Sequence, residues 1–265
     1  MGIVSAGNNC EVNNRYLLSL IAKKNFAFEL CNIKEIVITP EITRIPNQPE
    51  SQKGIINLRK SIIPLFDLRT ILGYISSEEE MREFLGMLKQ REQDHIDWLD
   101  ELRASIVEKR DFRKTTDPHA CAFGKWYDNY KTDNIKLALF LRSFDEPHKN
   151  IHKSAIVIQD IIMKHGYDAA LEYYKKIRET ELSKMIKLFN ELYIRIQSAI
   201  KSYSVIINHN NRIKGYIVDN VERISTFDED IYLLNDLMEA NEYVKGIVRD
   251  DSKDYLVLDY DRLAV

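Results

Sequence analysis

The stretch His119-Ala-Cys-Ala-Phe-Gly-Lys-Trp-Tyr-Asp-Asn-Tyr130 holds one thiol, Cys121, with no second cysteine near it in sequence. A thiolate is a nucleophile and a strong ligand for soft and borderline metals, so the chemistry open to Cys121 depends on its partners. The chain has six histidines. Two of them, His148 and His152, stand at i and i+4 in Pro147-His-Lys-Asn-Ile-His152, which on a helix places both imidazoles on one face, a turn apart. A third, His95, has Trp98 and Leu99 at i+3 and i+4 and so faces the apolar side of its helix. Three neutral imidazoles and one thiolate complete a tetrahedral shell for Zn²⁺. Spacing alone leaves a second reading open, because an isolated cysteine is often a small buried apolar residue and inward-facing histidines are often hydrogen-bonded core residues. His119, His165 and His209 fit a metal shell less well and read as surface residues. His165 precedes Gly166 at a helix C-terminus, where a cation suits the helix dipole.

The elements that must position these side chains come from a change of texture along the 265 residues. From about Tyr16 to Tyr74 the chain reads as short strands. "YLLSLIA" and "FAFEL" flank a polar turn and form a hairpin, and "GIINLRKSIIPLFDLRTILG" holds two β-branched runs. "IKEIVI" is short enough for one or two helical turns. From about Glu78 to Lys201 the texture is helical, with apolar residues at 3–4 spacing, as in Phe84, Met87, Leu88, Ile96, Leu99, Leu102 and Ile106. Ser76 or Ser77 before three glutamates marks a helix start, "TTDPH" breaks the first helix, Asp145 caps another ahead of Pro147, and Gly166 closes one before the last begins. After about Ser202 two hairpins return, turning at "NHNNR" and "DDSKD". The expected organisation is β, α, β: a tail over 1–14, a β domain over 15–76 that resumes over 201–265, and a helical insert over 77–200. Inward side chains on facing helices are how bundles build metal sites.

Composition excludes several classes. Hydrophobic residues make up 45% and charged residues 30%, a globular mix, and the net charge of −3 implies no basic face for nucleic acid. No apolar run approaches the roughly 20 residues that span a bilayer, and the N-terminus lacks the pattern of a secretory signal. Three scattered cysteines argue against a disulfide framework and for a reducing cytoplasm; Cys31 reads as a small buried apolar residue. Phosphate-binding glycine loops, histidine-kinase boxes and nucleophile elbows are not found in the sequence. A catalytic zinc needs an open position that four protein ligands would fill, and a diiron carrier of the hemerythrin kind needs more histidines and bridging carboxylates.

Two resemblances add to this reading. The helical segment resembles the chemoreceptor zinc-binding (CZB) domain over roughly residues 80 to 198, through His95 with "IDW", Cys121-Ala-Phe-Gly-Lys-Trp126 and the pair His148 and His152. That resemblance implies zinc held by His95, Cys121, His148 and His152, and commonly a homodimer. The β segments resemble CheW, the chemotaxis coupling protein, through "IPNQPESQKGIINLRKSIIPLFDLR", with Lys60 standing where that family usually has glycine. The implied fold is a multidomain β + α protein, a CheW-like double β-barrel with an inserted antiparallel four-helix bundle. The implied role is a non-enzymatic cytoplasmic adaptor that joins chemoreceptor tips to the kinase CheA. Asn57 and Arg59 are the candidate receptor-binding residues, with an internal ion pair from Arg59 to Asp67 or Glu50 as the alternative for the arginine. The bundle would supply the input, by sensing oxidant or zinc at Cys121, or would carry a zinc that is structural only.

Overall fold

The computed structural model describes residues 14–132, 134–199, 201–227, 232–233, 242–250 and 253–263. The expected tail (1–14, apart from Asn14) and the centre of the "DDSKD" turn lie outside them. Two compact units divide the chain, one over 1–80 with 201–265 and one over 81–200.

The first unit is built on two sheets. Strands β1 (Arg15–Ile21), β2 (Lys24–Glu29), β3 (Ile33–Ile38), β4 (Gln52–Leu58) and β5 (Ser61–Asp67) precede a short helix, α1 (Leu68–Ile71). Strands β6 (Tyr203–His209), β7 (Arg212–Val218), β8 (Asn220–Thr226), β9 (Tyr232–Leu233), β10 (Val244–Asp250) and β11 (Lys253–Leu258) follow the helical segment. The six-stranded sheet runs β8-β1-β2-β11-β10-β9 and the five-stranded sheet β3-β6-β7-β5-β4. Both sheets are apolar on both faces. Leu17, Phe26 and Phe28 of one sheet share a core with Val205, Ile207, Tyr216 and Val218 of the other. The alternate residues Leu18, Ala27, Val248, Tyr255 and Val257 form a second cluster, and Ile56, Ile63, Leu65, Ile206 and Ile217 a third. Period-2 alternation sends neighbours in a strand to opposite faces, so a continuous apolar run such as Leu17-Leu18 serves two cores at once.

The segment Ile33–Ile38, for which one or two helical turns was open, is a strand, because it pairs antiparallel with β6 from Ile33 opposite Ile207 to Ile38 opposite Tyr203. A run this short takes its state from a partner 170 residues away in sequence, which local pattern does not carry. The hairpins expected at "KKN", "LRKS" and "NHNNR" are present, each on two residues with positive φ: Ala22 and Lys23, Arg59 and Lys60, Asn210 and Asn211. This is the type I′ pattern, whose twist matches paired strands. Beyond α1, the Arg69 guanidinium is buried and donates Nε and Nη2 to Asp219 (2.7 Å each) and Nη1 to Glu80 (2.5 Å), while Asp219 also accepts from the Ala22 backbone N–H (2.7 Å). Charge-assisted bonds of this length tie the β1–β2 turn, α1 and the β7–β8 corner together.

The second unit is helical and has its own core. Three long helical stretches build it: α2 (Ser77–Val107), α5 (Asp145–Ile177) and α6 (Ser183–Ala199), the last two linked by a π-helical turn, with the short helices α3 (Ala122–Asn129) and α4 (Ile135–Leu141) between α2 and α5. Among the described residues this unit has five helices, two of them short. Ser76 caps α2 as expected, its Oγ accepting from Glu79 N–H at 3.2 Å. Asp145 is not a cap: α5 continues directly from a 3₁₀ turn (Arg142–Phe144), and Asp145 instead accepts from the Tyr127 hydroxyl. Gly166 interrupts α5 at φ 83°, ψ 177°, a conformation that glycine takes without a Cβ penalty. Cys31, expected to be a buried apolar residue among cysteines that argue against a disulfide framework, is exposed and disulfide-bonded, which corrects both expectations for this residue.

Lys60 sits at φ 69°, in the left-handed region that glycine takes without a Cβ penalty. Replacing Lys60 by glycine removes that strain but loosens the unfolded chain, so Lys60→Gly is expected to raise stability by roughly 0.5–1 kcal/mol, read as a higher urea midpoint. An unchanged or lower midpoint would show that the turn carries no such strain.

Candidate metal centre

Each donor reaches the site by a different local rule. His95 stands on the buried stripe of α2 with Leu88, Trp98, Leu99, Leu102 and Ile106. His148 and His152 stand on the buried stripe of α5 with Pro147, Ile151, Ala155 and Ile158. Cys121 is the N-cap of α3: its φ of −71° and ψ of 162° are extended, and its sulfur accepts from the Gly124 N–H at 3.1 Å. The cysteine thus occupies the place of a serine cap and points its sulfur at the helix N-terminus. Gly124 is required here because a Cβ would lie 1.9 Å from the Pro118 carbonyl oxygen. The Cys-x-x-Gly spacing therefore reflects one turn of helix packed against the segment that precedes it.

The structure brings all four residues together. One donor atom from each of His95, Cys121, His148 and His152 lies within 4.8 Å of the others. Cys121 Sγ is 3.2 Å from His148 Nε2 and 3.3 Å from the Pro118 carbonyl. The three imidazoles are 97–99% or 94% buried, and their rings meet edge to face at 4.9–5.9 Å between centroids. Phe123, two residues past the cap, lies with its ring against His95 and His148.

Hydrogen bonding fixes how the rings present themselves. His95 Nδ1 lies 2.7 Å from the Arg91 carbonyl, and His152 Nδ1 lies 3.3 Å from the Thr115 carbonyl. A carbonyl oxygen only accepts, so each Nδ1 carries the proton and each Nε2 offers a lone pair. Both of those Nε2 atoms are buried without a hydrogen-bond partner. Two orphaned acceptors in a dry core are destabilising unless something fills the space between them. A tetrahedral zinc shell with bonds of about 2.0–2.3 Å spaces its ligand atoms about 3.3–3.6 Å apart; the Cys121 Sγ–His148 Nε2 separation of 3.2 Å is near that spacing, and all four donors lie within 4.8 Å of one another. The Nδ1–carbonyl bonds are the arrangement by which metal-binding histidines are oriented. The residues present therefore fit zinc.

The electrostatics agree with the donor roles. Burial pushes His95 down, and burial together with its imidazole neighbours pushes His148 down to about 2 and His152 down to about 4. All three rings are neutral at pH 7, as ligands must be. Burial raises the Cys121 thiol, opposed by its bonds to the Gly124 and Phe123 N–H groups; a divalent cation at the site would deprotonate it outright. Cys121 is only half-buried and, with His95 and His152, borders a cavity of about 380 Å³ whose wall includes Asp94, Asp97, Lys114 and Thr115. The site is reached by small solutes from the sulfur side.

The other candidate residues are placed as follows. His119 is exposed and pairs with Asp128, His165 is exposed, and His209 is half-buried between Asn32 and Asp261, so none joins the cluster. Asn57 and Arg59 are exposed at the end of β4 and in its turn. Arg59 pairs with Glu35 at 3.2 Å, not with Asp67 or Glu50. Asp67 is taken by Lys53 and by the Arg69 N–H, and Glu35 arrives on β3, the opposite edge strand of the same sheet. Sequence reasoning missed Ile62, which stands opposite Asn57 across β4–β5 and is 71% exposed, and it missed Thr115 and Pro118 beside the cluster; Trp98, read from sequence only as a neighbour of His95, lies against His152.

Comparison with known proteins follows from this geometry. The model of the CheW-like domain matches residues 15–96, and that of the chemoreceptor zinc-binding domain matches residues 95–159. Among curated relatives, a chemotaxis protein CheW of Thermotoga maritima is 34% identical over 65 residues, 24% of this chain and 43% of that one. A chemotaxis protein CheW of Helicobacter pylori is 32% identical over 82 residues, 30% of this chain and 49% of that one. The chain spans less than half the length of these relatives. Among solved structures, the scaffolding protein TtCheW from Thermoanaerobacter tengcongensis aligns at TM-score 0.44 and 15% identity, covering 93% of this chain and 89% of that one. The regulatory CZB domain of DgcZ aligns at TM-score 0.37 and 17% identity, covering 44% of this chain and 98% of that one.

Two expectations follow from the site. Gly124→Ala drives a methyl group into the Pro118 carbonyl, so it should cost about 1–3 kcal/mol of stability and weaken metal binding, both measurable by denaturation and metal titration. In metal-free protein the three histidines have folded pKa values below the free value, so the unfolded chain binds more protons below about pH 6.5. Stability should therefore fall as pH drops from about 6.5 towards 4, by up to about 1.4 kcal/mol per histidine per pH unit. A urea midpoint that stays level from pH 7 to 5 after chelation, in wild type relative to His152→Gln, would contradict buried neutral rings.

Along the chain, a match to the CheW-like domain is followed by a match to the chemoreceptor zinc-binding domain.

Proposed function

We propose that the protein is a chemotaxis adaptor: a CheW-like domain couples chemoreceptor tips to the kinase CheA, and a helical domain holding zinc through His95, Cys121, His148 and His152 tunes that coupling. In this reading the CheW-like domain occupies 15–76 and resumes over 201–265, with the helical domain of 77–200 inserted. It is not an enzyme, it acts in the cytoplasm, and it pairs as a homodimer through the helical domain. The observation that carries the reading is the Cys–His₃ cluster with its two unpartnered Nε2 atoms, in a chain that also matches a coupling domain. That no helix among the described residues is long and apolar enough to cross a membrane is compatible with it.

For receptor contact the reading uses Asn57 and Arg59, joined by the exposed Ile62 beside them. An apolar side chain flanked by an amide and a guanidinium suits a helical receptor tip, where the planar fork of Arg59, now paired with Glu35, would exchange that partner for a receptor carboxylate.

For input, zinc when bound supplies a cationic centre that keeps Cys121 as thiolate. The half-exposed sulfur borders the cavity, so a small two-electron oxidant such as a peroxide reaches it. The S–O bond of a sulfenic acid forms as the O–O bond breaks, and the oxidant leaves as water or alcohol. A sulfenic acid is a weaker donor than a thiolate, and α3, which Cys121 caps, loses a contact that anchors its first turn. Zinc supply itself is the other signal the same site would read, since the four donors come from α2, the α3 cap and α5 and are drawn together by the ion. A purely structural zinc is the second reading, favoured by the burial of the three histidines.

The first test is elemental analysis of tag-free protein. About one zinc per chain in wild type, lost or weakened in Cys121→Ser, is expected. In a reconstituted receptor–kinase array, Cys121→Ser should then abolish any change of kinase output on adding oxidant or chelator. An intact response in the variant rules out sensing through Cys121, and zinc absent from both proteins rules out the site.

A further inference from the structure

We propose that Trp98 is a positioning residue of the metal site, holding the His152 imidazole in place through the carbonyl oxygen of Thr115. The inference rests on the reading of the Cys–His₃ cluster as a metal centre. The Thr115 carbonyl takes two donors, Trp98 Nε1–H at 2.9 Å and His152 Nδ1–H at 3.3 Å. One oxygen thus links a buried indole on α2 to a donor histidine on α5.

The need for such a link comes from where the orienting carbonyls lie. His95 leans on the Arg91 carbonyl four residues back in its own helix, so the regular geometry of α2 sets that partner. The partner of His152 lies instead in the segment 110–118, which has no helix or strand to fix it. The turn bonds there, Thr115 Oγ1 to Asp117 N–H and Asp117 Oδ1 to His119 N–H, shape the backbone but leave the Thr115 carbonyl untouched. Trp98 is what holds it. The indole is 4% exposed, packs edge-on against Phe112 of the same segment at 4.8 Å, and lies 5.0 Å from the His152 ring. Its place is set by sequence: three residues past His95, it shares the inward stripe of α2 one turn further along.

The consequence for the metal is specific. While the carbonyl faces His152, the proton stays on Nδ1 and the lone pair on Nε2 faces the cluster. With the indole N–H removed, the carbonyl is free to turn, and the other tautomer, with Nε2 protonated and useless as a ligand, becomes accessible. Metal affinity should fall even where the fold survives.

The test uses the full chain. Trp98→Phe keeps an aromatic ring and removes the N–H; 3-benzothienylalanine at position 98 keeps the bicyclic shape and replaces N–H by sulfur, and it carries the test if the phenylalanine variant does not fold. Zinc affinity is measured by chelator competition, the ligand field by the visible absorption of Co²⁺-loaded protein, and the His152 tautomer by ¹⁵N NMR of the ring in metal-free protein. Ile177→Ala, a core change near the far end of α5, serves as the comparison for stability alone. Expected are a zinc Kd weakened about tenfold, an altered Co²⁺ spectrum and a mixed His152 tautomer in both position-98 proteins, with spectrum and tautomer unchanged in Ile177→Ala. Wild-type binding with position-98 proteins of the same affinity and tautomer overturns the proposal alone, as does an equal spectral change in Ile177→Ala. Wild-type protein that takes up neither ion overturns the metal reading, and the proposal with it.

Discussion

Two buried imidazole nitrogens without a hydrogen-bond partner, His95 Nε2 and His152 Nε2, are the constraint on which the helical unit turns. The third, His148 Nε2, has only the Cys121 sulfur. Without a cation the cluster carries the desolvation penalty of each orphaned acceptor; with one it becomes a cross-link between α2, the α3 cap and α5. The aromatic rings around it, Phe123, Trp98 and Phe189, contribute to the burial that keeps the imidazoles neutral. The same burial that favours neutral donors makes the empty cluster unstable, so metal content and helical packing are one equilibrium.

The irregular segment between α2 and α3 has more influence on the site than its lack of secondary structure suggests. It supplies the Thr115 carbonyl to His152 and Trp98, and the Pro118 carbonyl beside the Cys121 sulfur. It also forces glycine at position 124 by lying against the first turn of α3. Because Cys121 is both a donor and a helix cap, chemistry at its sulfur acts on two things at once, the donor set and the start of α3. That dual role gives a small local event a structural readout. In the β unit the equivalent economy is at Arg69, whose one guanidinium satisfies two carboxylates and ties three corners together.

The β–α–β order, the hairpin turns and the four donor residues were legible in the sequence. Turn chemistry and helix periodicity are local: the turn residues lie between two apolar runs, and Arg59 and Lys60 take the positive φ that such a turn requires. The histidine pair on α5 was legible because i,i+4 spacing needs only a helix. What failed were assignments whose outcome rests on distant partners. Ile33–Ile38 became a strand because β6 lies beside it, Arg59 found Glu35 because two edge strands of one sheet approach each other, and Asp145 lost its cap role because a 3₁₀ turn runs straight into α5.

The sequence by itself determined which residue types are available for metal binding and which helix faces carry them, since donor chemistry and a 3.6-residue period are properties of the chain. Tertiary structure alone decided that these faces converge within 4.8 Å, that both free Nε2 atoms point inward, and that Trp98, Thr115 and Pro118 belong to the site. The physical reason is that convergence, burial and carbonyl orientation are set by packing between segments far apart in sequence, where no periodicity or spacing rule reaches.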